Sequence, residues 1–144
     1  MLVQQILKSK PTQGVDTIKP GSTVAQVAEA LSKKRIGALV VSADGKAVAG
    51  IVSERDIVRE LGARGPSCMA ETVDSLMTKD IISCTGEETS DAVLAKMTQG
   101  RFRHMPVMDG ADMVGLISIG DVVKAQLSKL AMEKEALESM IKGF

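Results

Sequence analysis

The sequence has almost no aromatic side chains. Among its 144 residues there are two phenylalanines, Phe102 and Phe144, and neither tryptophan nor tyrosine. Proteins that bind single-stranded nucleic acids stack the bases on aromatic rings, and this chain offers almost none. Its 18 basic residues are balanced by 18 acidic ones, so no net field attracts nucleic acid or an anionic membrane. We therefore expect a protein that binds neither.

Cysteine and histidine are equally scarce. Cys68 and Cys84 lack the paired spacing of a metal site, and two cysteines do not make a disulfide framework. His104 is the only histidine, and one histidine with two scattered cysteines cannot form a zinc site. We expect reduced thiols, no bound metal and no catalytic cofactor.

Long hydrophobic runs are absent as well. The longest nearly apolar stretches, such as Ile36 to Val41, are far shorter than the roughly 20 residues that cross a bilayer. No basic start leads into an apolar run, as it does in a signal peptide. With 44% hydrophobic and 25% charged residues, the composition is that of a globular protein with a buried core. The expected location is the cytoplasm.

The chain does contain an internal repeat. Three blocks of the first half recur in the same order in the second half, 66 or 65 positions later. The matching blocks are residues 23–31 with 89–97, 35–41 with 101–107, and 50–58 with 115–123. A single match of this kind could arise by chance, but three matches in the same order indicate two copies of one unit.

Each copy begins with a predicted strand and an amphipathic helix. The strands are Val15–Ile18 in the first copy and Ile81–Cys84 in the second. Apolar residues at helical spacing then follow a capping residue, which is Ser22 or Thr23 in the first copy and Thr89 in the second.

Each copy ends with two strands and a second helix. Asp-Gly pairs at 43–46 and 109–112 predict tight turns between the strands, and the last helix starts after Ser53 or Ser118. The resulting fold class is α/β, with two small sheets flanked by helices. Because each half is small, we expect the two sheets to pack together.

The repeat divides the chain into four segments. Residues 1–64 form the first repeat with an N-terminal helix, and residues 65–74 form a linker that contains Gly65, Pro66 and Ser67. Residues 75–127 form the second repeat, and residues 128–144 form a C-terminal helical extension.

A Ser-x-x-Asp pattern stands at the start of the last helix of each copy, at Ser53 and Asp56 and at Ser118 and Asp121. One carboxylate can accept hydrogen bonds from both hydroxyls of a ribose, and the free N–H groups of a helix start attract a phosphate. The same pattern is also a variant of the ordinary capping box. Both interpretations stay open, and both can hold together.

Positive side chains gather in the second copy at Arg101, Arg103 and His104. Arginine forks suit phosphate oxygens, and a neutral histidine can still donate a hydrogen bond. The alternative is a solvated strand edge. Arg55 lies at a helix start, where a positive charge faces the unfavourable end of the dipole, which favours a nearby anion over a plain surface arginine.

The two Gly-apolar-apolar-Ser-x-x-Asp blocks and the segment from Arg103 to Val107 resemble the two signatures of cystathionine-β-synthase (CBS) repeats. A tandem pair of such repeats is a Bateman module. The resemblance covers roughly residues 3 to 127, and Ser53 to Ile57 are close to the form common in stand-alone bacterial members. It implies a regulatory module with two clefts between the repeats, which bind AMP, ADP, ATP, NAD(H) or S-adenosylmethionine.

The resemblance also implies which residues bind in the first cleft. Ribose and phosphate would contact Ser118, Asp121, Arg103 and His104. The base would lie on the backbone of Ile36, Gly37 and Ala38, with the strand start near Asp16.

For the other cleft, the resemblance implies side chains of the first repeat and mainly backbone of the second. These residues are Ser53, Arg55 and Asp56 with Phe102, Arg103, Met105 and Ile82. Gly37 and Ala38 occupy the positions that match Arg103 and His104, so this cleft carries less positive charge. Two unequal sites follow.

Enzyme motifs are missing. No Gly-x-Gly-x-x-Gly follows a strand, no phosphate-loop Gly-Lys-Ser/Thr is present, and no nucleophile motif surrounds a serine. We expect a non-catalytic sensor of adenosyl nucleotides that signals to an unknown effector protein. The alternative is a structural or interaction module that has kept the fold and lost tight binding.

The helical pattern continues from Ile119 to about Lys142, a length of about 35 Å. Its apolar residues share one side: Val123, Leu130, Leu137 and Phe144 at intervals of seven, with Leu127 and Ile141 beside them. This face either folds back on its own chain or contacts a partner, most simply a second copy in a homodimer. Lys134 interrupts the stripe and favours a short pairing over a long coiled coil.

Overall fold

The computed structural model describes residues 1–143, so Phe144 and its predicted place on the apolar stripe lie outside the described residues. In this range there are five α-helices and five strands, which confirms the predicted α/β class. In chain order they are α1 (Val3–Ser9), β1 (Thr17–Ile18), α2 (Val24–Lys34), β2 (Ala38–Val41), β3 (Gly50–Ser53), α3 (Glu54–Arg64), α4 (Ser90–Gly100), β4 (His104–Asp109), β5 (Asp112–Ser118) and α5 (Ile119–Ile141).

The chain divides into two compact units. The repeat-1 unit consists of Gly14–Ile82 with Gly110–Val114, and the repeat-2 unit consists of Met1–Gln13, Ser83–Asp109 and the described chain from Gly115 onward. The N-terminal helix α1, which the sequence analysis grouped with the first repeat, thus belongs to the repeat-2 unit.

The repeat-1 unit contains a three-stranded sheet in the order β1-β2-β3. β1 pairs with β2 in parallel, and β2 pairs with β3 in antiparallel register, with Ala38 opposite Ser53. Thr23 caps α2 by accepting a hydrogen bond from the Gln26 N–H at 3.1 Å. The core joins apolar residues of α2, the sheet and α3: Val24, Val27, Leu31, Leu39, Val41, Val52 and Ile57.

The predicted linker packs into the core of the repeat-1 unit. Residues 65–74 contain the 3-10 helix Pro66–Ala70 and the start of a second one, Val73–Ser75. Cys68 and Val73 are fully buried, and the Val73 N–H donates to the Ser22 carbonyl at 2.7 Å. This segment is therefore part of the folded unit rather than a free connection.

The repeat-2 unit combines the β4-β5 hairpin with α1, α4 and α5. The first turn of α1 is held by the Val3 N–H, which donates to the Glu88 carbonyl at 2.9 Å. A helix of seven residues is not stable alone, so α1 depends on burying Val3 and Ile6 in this core. The other buried core residues are Cys84, Val93, Met97, Met105, Val107, Ile117, Val122 and Ala125.

The predicted tight turn is found in the second copy but not in the first. Gly110 adopts a φ of 62° between β4 and β5, whereas residues 42–49 separate β2 from β3. The Asp44 carboxylate accepts hydrogen bonds from the Lys46 and Ala47 N–H groups at 2.8 and 2.9 Å. Because these local bonds engage the backbone N–H groups of Lys46 and Ala47, β2 and β3 are joined by a longer loop rather than by a tight turn.

The first predicted strand is shorter than expected in the first copy and is reduced to a single bridge in the second. Of Val15–Ile18, only Thr17–Ile18 pairs as a strand. The predicted strand Ile81–Cys84 does not form: only Cys84 pairs, in an isolated bridge to Val107. Ile82 is exposed, so this run does not have the buried face that would fix a longer ladder.

Within residues 1–143, no helix is long and apolar enough to cross a bilayer.

Candidate functional site

In each unit a serine and an aspartate cap the last helix where it leaves the sheet. The Ser53 N–H donates to Asp56 Oδ2 at 2.8 Å, and the Asp56 N–H donates to Ser53 Oγ at 3.4 Å. Ser118 and Asp121 form the same two bonds at 2.9 and 3.1 Å. The capping-box interpretation is therefore confirmed in both copies, and any ligand role is additional to it.

The Asp56 carboxylate is fully engaged within its own helix start. Oδ2 also accepts from Ser53 Oγ at 3.1 Å, and Oδ1 accepts from Arg59 Nη2 at 2.9 Å. The side chain is only 11% exposed. Both oxygens of Asp56 thus have a protein partner, and one of these partners, Arg59, is a residue that the sequence analysis did not single out.

The Asp121 carboxylate is held at the start of α5 but is not fully buried. Oδ2 accepts the Ser118 N–H at 2.9 Å and lies 3.1 Å from Lys10 Nζ. The side chain is 22% exposed. Part of this carboxylate is therefore accessible from outside the protein.

The pKa of Asp121 is lowered. Burial of the carboxyl raises its pKa, but the Ser118 N–H and the Lys10 ammonium together outweigh that effect. The group is therefore ionised at neutral pH, and an ionised carboxylate acts only as a hydrogen-bond acceptor.

Lys10 is the residue that sequence reasoning missed at this site. Its ammonium pairs with Asp121 and donates to the Leu116 carbonyl at 2.9 Å. It follows α1, which lies outside the repeated blocks and more than a hundred positions before Asp121. No local pattern in the sequence connects the two residues.

One backbone hydrogen bond in each unit joins the capped helix to the middle strand. The Ile119 N–H donates to the Arg103 carbonyl at 2.8 Å, and the Glu54 N–H donates to the Gly37 carbonyl at 2.9 Å. The first bond brings the segment of Arg103 and His104 to the Ser118 box. The second brings uncharged Gly37 and Ala38 to the Ser53 box. Unequal binding by the two sites stays a prediction.

Two of the predicted cationic side chains have no acidic partner within residues 1–143. The side chains of Arg55 and Arg103 are exposed and form no ion pair within residues 1–143. Arg101 is the left-handed residue that ends α4, with a φ of 57°, and His104 is the half-buried first residue of β4. Phosphate contact by these residues stays a prediction.

The predicted base-binding residues of the first repeat surround the start of β2. The Asp16 carbonyl accepts the Val40 N–H at 3.2 Å, and its carboxylate pairs with Lys34 at 3.0 Å. Ile36 and Gly37 line a groove of about 550 Å³ in the repeat-1 unit. The remaining lining residues are Ala28, Leu31, Ser32, Arg35, Glu54, Ile57 and Val58, so neither Ser53 nor Asp56 lines it.

The other predicted contacts differ in exposure. Met105 is fully buried and Ile82 is exposed. Phe102 packs on the repeat-2 core, and its ring occupies the space beside Gly100. Met105 therefore offers a ligand only its backbone, and its contact stays a prediction. The combination of residues from both repeats in one cleft stays a prediction.

A known family matches both copies. The family model of the CBS domain matches residues 3–63 and again residues 73–128. This chain belongs to the CBS-domain family. Proteins made of CBS domains alone are generally regulatory. Among residues 1–143 no group of three or more histidine, cysteine, aspartate or glutamate side chains is placed to hold a metal ion.

A plant relative and a bacterial structure illustrate the match. The mitochondrial CBS domain-containing protein CBSX3 of Arabidopsis thaliana is 35% identical over 84% of this chain, which spans 61% of that protein's length. The crystal structure of the CBS-domain protein ATU1752 from Agrobacterium tumefaciens is 37% identical, with a TM-score of 0.83, over 88% of this chain and 99% of that one.

Two similar CBS structures contain adenosyl ligands. Protein PAE2072 from Pyrobaculum aerophilum, complexed with AMP, is 25% identical with a TM-score of 0.78, over 92% of this chain and 99% of that one. The CBS domain pair of protein MJ0100 is in complex with 5-methylthioadenosine and S-adenosyl-L-methionine. It is 26% identical with a TM-score of 0.77, over 90% of this chain and 98% of that one.

Proposed function

We propose that this CBS pair is a non-catalytic sensor that binds an adenine nucleotide, AMP, ADP, ATP or NAD(H), and signals its ligand state to an effector protein. The observation that carries the proposal is the Asp121 carboxylate, which is held at a helix start, is charged beside Lys10 and is partly exposed. Adjacent hydroxyls of a ribose are donors that suit such a carboxylate. A hydrogen bond to a charged group contributes roughly 1.5–3 kcal/mol.

Lys10 makes the site compatible with an anionic ligand. An aspartate alone would repel the phosphate of a nucleotide, but the ammonium at 3.1 Å balances its charge. The exposed guanidinium of Arg103, whose carbonyl is bonded to the first residue of α5, then supplies positive charge for the phosphate.

The ligands of similar proteins support the adenosyl class. AMP in one relative and methylthioadenosine and S-adenosylmethionine in another share an adenosine with two ribose hydroxyls. The chemistry that they have in common is the part that Asp121 would bind. The phosphate contacts at Arg103 favour a nucleotide over an uncharged nucleoside in this chain.

The two boxes should bind with unequal strength. Arg103 and His104 adjoin the Ser118 box, whereas Gly37 and Ala38 adjoin the Ser53 box. In addition, Arg59 already occupies the second oxygen of Asp56. We infer that the Asp121 site is filled first, and that Arg55 serves the Asp56 site.

Titration calorimetry with AMP and adenosine tests the proposal. Asp121→Asn keeps an acceptor for the cap and loses the charge, so it should weaken both ligands about ten- to a hundred-fold. Arg103→Ala should weaken AMP more than adenosine, because adenosine has no phosphate. Asp109→Asn, an exposed acid at the end of β4, is the matched control and should bind as the wild type does.

The alternative, an interaction module without a tight ligand, predicts a different outcome. A full nucleotide panel at millimolar concentration would then leave the melting temperature unchanged, whereas a ligand that binds only the folded state raises it. Mass spectrometry of small molecules released from the denatured purified protein would likewise find no adenosyl compound. Those two results together would reject the sensor.

A further inference from the structure

The last three turns of α5 are exposed along their whole length. α5 is fastened to its own unit as far as Lys129, whose ammonium lies 3.1 Å from the Asp91 carboxylate. From Leu130 to Gly143 every residue is exposed. Most helical stability in proteins comes from packing of an apolar face, so a partner that covered this segment would stabilise it.

The apolar residues of this helix form a seam. In heptad notation Leu127 and Ile141 take a positions, and Val123, Leu130 and Leu137 take d positions. All of them are exposed, and all except Val123 by 60% or more. Apolar residues at a and d are the pattern by which two helices pair along their length.

We propose that this seam pairs with the seam of a second copy of the chain in antiparallel orientation. The charges beside the seam indicate both the occupant and the direction, because flanking charges set partner choice and orientation in paired helices. The proposal goes beyond nucleotide sensing and does not depend on it.

The antiparallel pair brings opposite charges together. When Leu127 lies opposite Leu137 of the partner subunit, Lys124 flanks the seam beside Glu138 of the partner subunit. The two-fold symmetry of the pair repeats this contact on the other side. Lys124 forms no ion pair within residues 1–143, and Glu138 has only a long contact of 4.0 Å with Lys134 of its own helix. One like-charge contact remains, between the two copies of Glu133.

The parallel pair brings like charges together. Lys134, which takes the central a position, would face Lys134 of the partner subunit inside the seam. Glu133 would face Glu138 of the partner subunit on both sides, and such like-charge pairs are destabilising. In the antiparallel pair Lys134 lies opposite Leu130 of the partner subunit, where its aliphatic stem packs and its ammonium extends into water.

Sedimentation equilibrium tests whether the seam associates. Leu130→Asp combined with Leu137→Asp should weaken self-association at least tenfold. Met132→Asp is the matched control: it changes an exposed apolar residue on the opposite side of the helix and should leave association unchanged. Because all three side chains are exposed, circular dichroism and melting should show that the two units stay folded. A monomer at every concentration, or a dimer that both variants leave intact, would overturn the proposal.

A charge exchange tests the partner contact. Lys124→Glu and Glu138→Lys should each weaken association several-fold, and the double exchange should restore it, since the pair is then re-formed with reversed sign. Glu135→Lys makes the same charge change on the outer side of the helix and should have little effect. If the losses of self-association affinity simply added up in the double variant, the antiparallel register would be rejected. Preferential binding of an unrelated protein to the seam would reject it as well.

A spin-label distance tests the direction independently. Lys142→Cys places a label near the helix end, and native Cys68 and Cys84 are buried and escape labelling. In the antiparallel register residue 142 lies opposite residue 122 of the partner subunit, so the two labels are separated by on the order of 30 Å along the axis. In a parallel pair their axial separation is zero. A short label distance would overturn the proposed direction.

Discussion

The Lys10 ammonium lies 3.1 Å from the Asp121 carboxylate, although more than a hundred positions separate the two residues in the sequence. This ion pair connects the end of α1 to the first turn of α5. Because Asp121 is also the proposed ribose acceptor, the N-terminal helix contributes a charge to the candidate site.

Removing the ammonium should reduce stability in a pH-dependent way. The side chains are partly exposed, so we expect Lys10→Ala to cost about 1 kcal/mol at pH 7. The folded-state pKa of Asp121 is lowered, so its contribution is present above the unfolded-state pKa of about 3.9 and is lost as the pH falls through the folded-state value. The free energies of unfolding of the wild type and the variant, measured with urea, should therefore approach each other as the pH falls below about 4.

Lys8→Ala is the control for that measurement. Lys8 is an exposed residue in the last turn of α1. Its substitution removes the same charge but leaves the Lys10–Asp121 ion pair intact. A loss of stability in Lys8→Ala equal to that in Lys10→Ala would mean that the effect comes from net charge alone.

Substitutions of Asp56 should separate capping from charge. Asp56→Asn keeps an oxygen that can accept the Ser53 N–H bond, whereas Asp56→Ala removes it and leaves that N–H unpaired. We expect Asp56→Ala to lower stability by about 1 kcal/mol more than Asp56→Asn does. Thermal unfolding measures the difference. Equal losses would show that the retained acceptor does not stabilise the helix start.

Both thiols should be unreactive in the folded protein. Burial, reinforced by the nearby Glu88 carboxylate and opposed by Lys96, raises the pKa of Cys84 to about 11, and Cys68 is fully buried. A colorimetric thiol reagent at pH 8 should detect no fast-reacting group before denaturation and two groups after it. Rapid reaction of either cysteine in the native protein would contradict this.

Two glycine substitutions should change stability in opposite directions. A Cβ at Gly115 would lie 2.7 Å from Leu7 Cδ1, so Gly115→Ala should cost about 1 kcal/mol by displacing α1 from β5. A Cβ at Gly62 meets nothing within 4 Å inside α3, so Gly62→Ala should gain roughly 0.5–1 kcal/mol. Chemical denaturation of both variants tests the pair, and a loss in Gly62→Ala would show that α3 has a contact beyond those described.

Features that depend on neighbouring residues could be predicted from the sequence. The caps at Thr23, Ser53, Thr89 and Ser118 are all present, because a cap requires only a residue type and a spacing of three. The helix from Ile119 to about Lys142 ends at Ile141, since its pattern is equally local.

Features that depend on distant partners could not be predicted. Ile81–Cys84 has the composition of a strand, but a strand requires a partner along its length, and only Cys84 has one. Lys10 carries no signal of its role, because the Asp121 pair exists only after α1 has packed on the second repeat. Arg59 could have been noticed, since it lies three residues from Asp56 on the same helix face.

The packing of α1 in the repeat-2 unit has a consequence for the order in which the chain is made. Val3 and Ile6 are synthesised before the residues that bury them, such as Val107 and Ile117, which follow about a hundred residues later. At roughly 5–20 residues per second the delay is on the order of 5–20 s. During that interval the repeat-1 unit already has its core segment from Gly14 to Ile82 available. The apolar side chains of α1 remain unburied until the repeat-2 residues have been made.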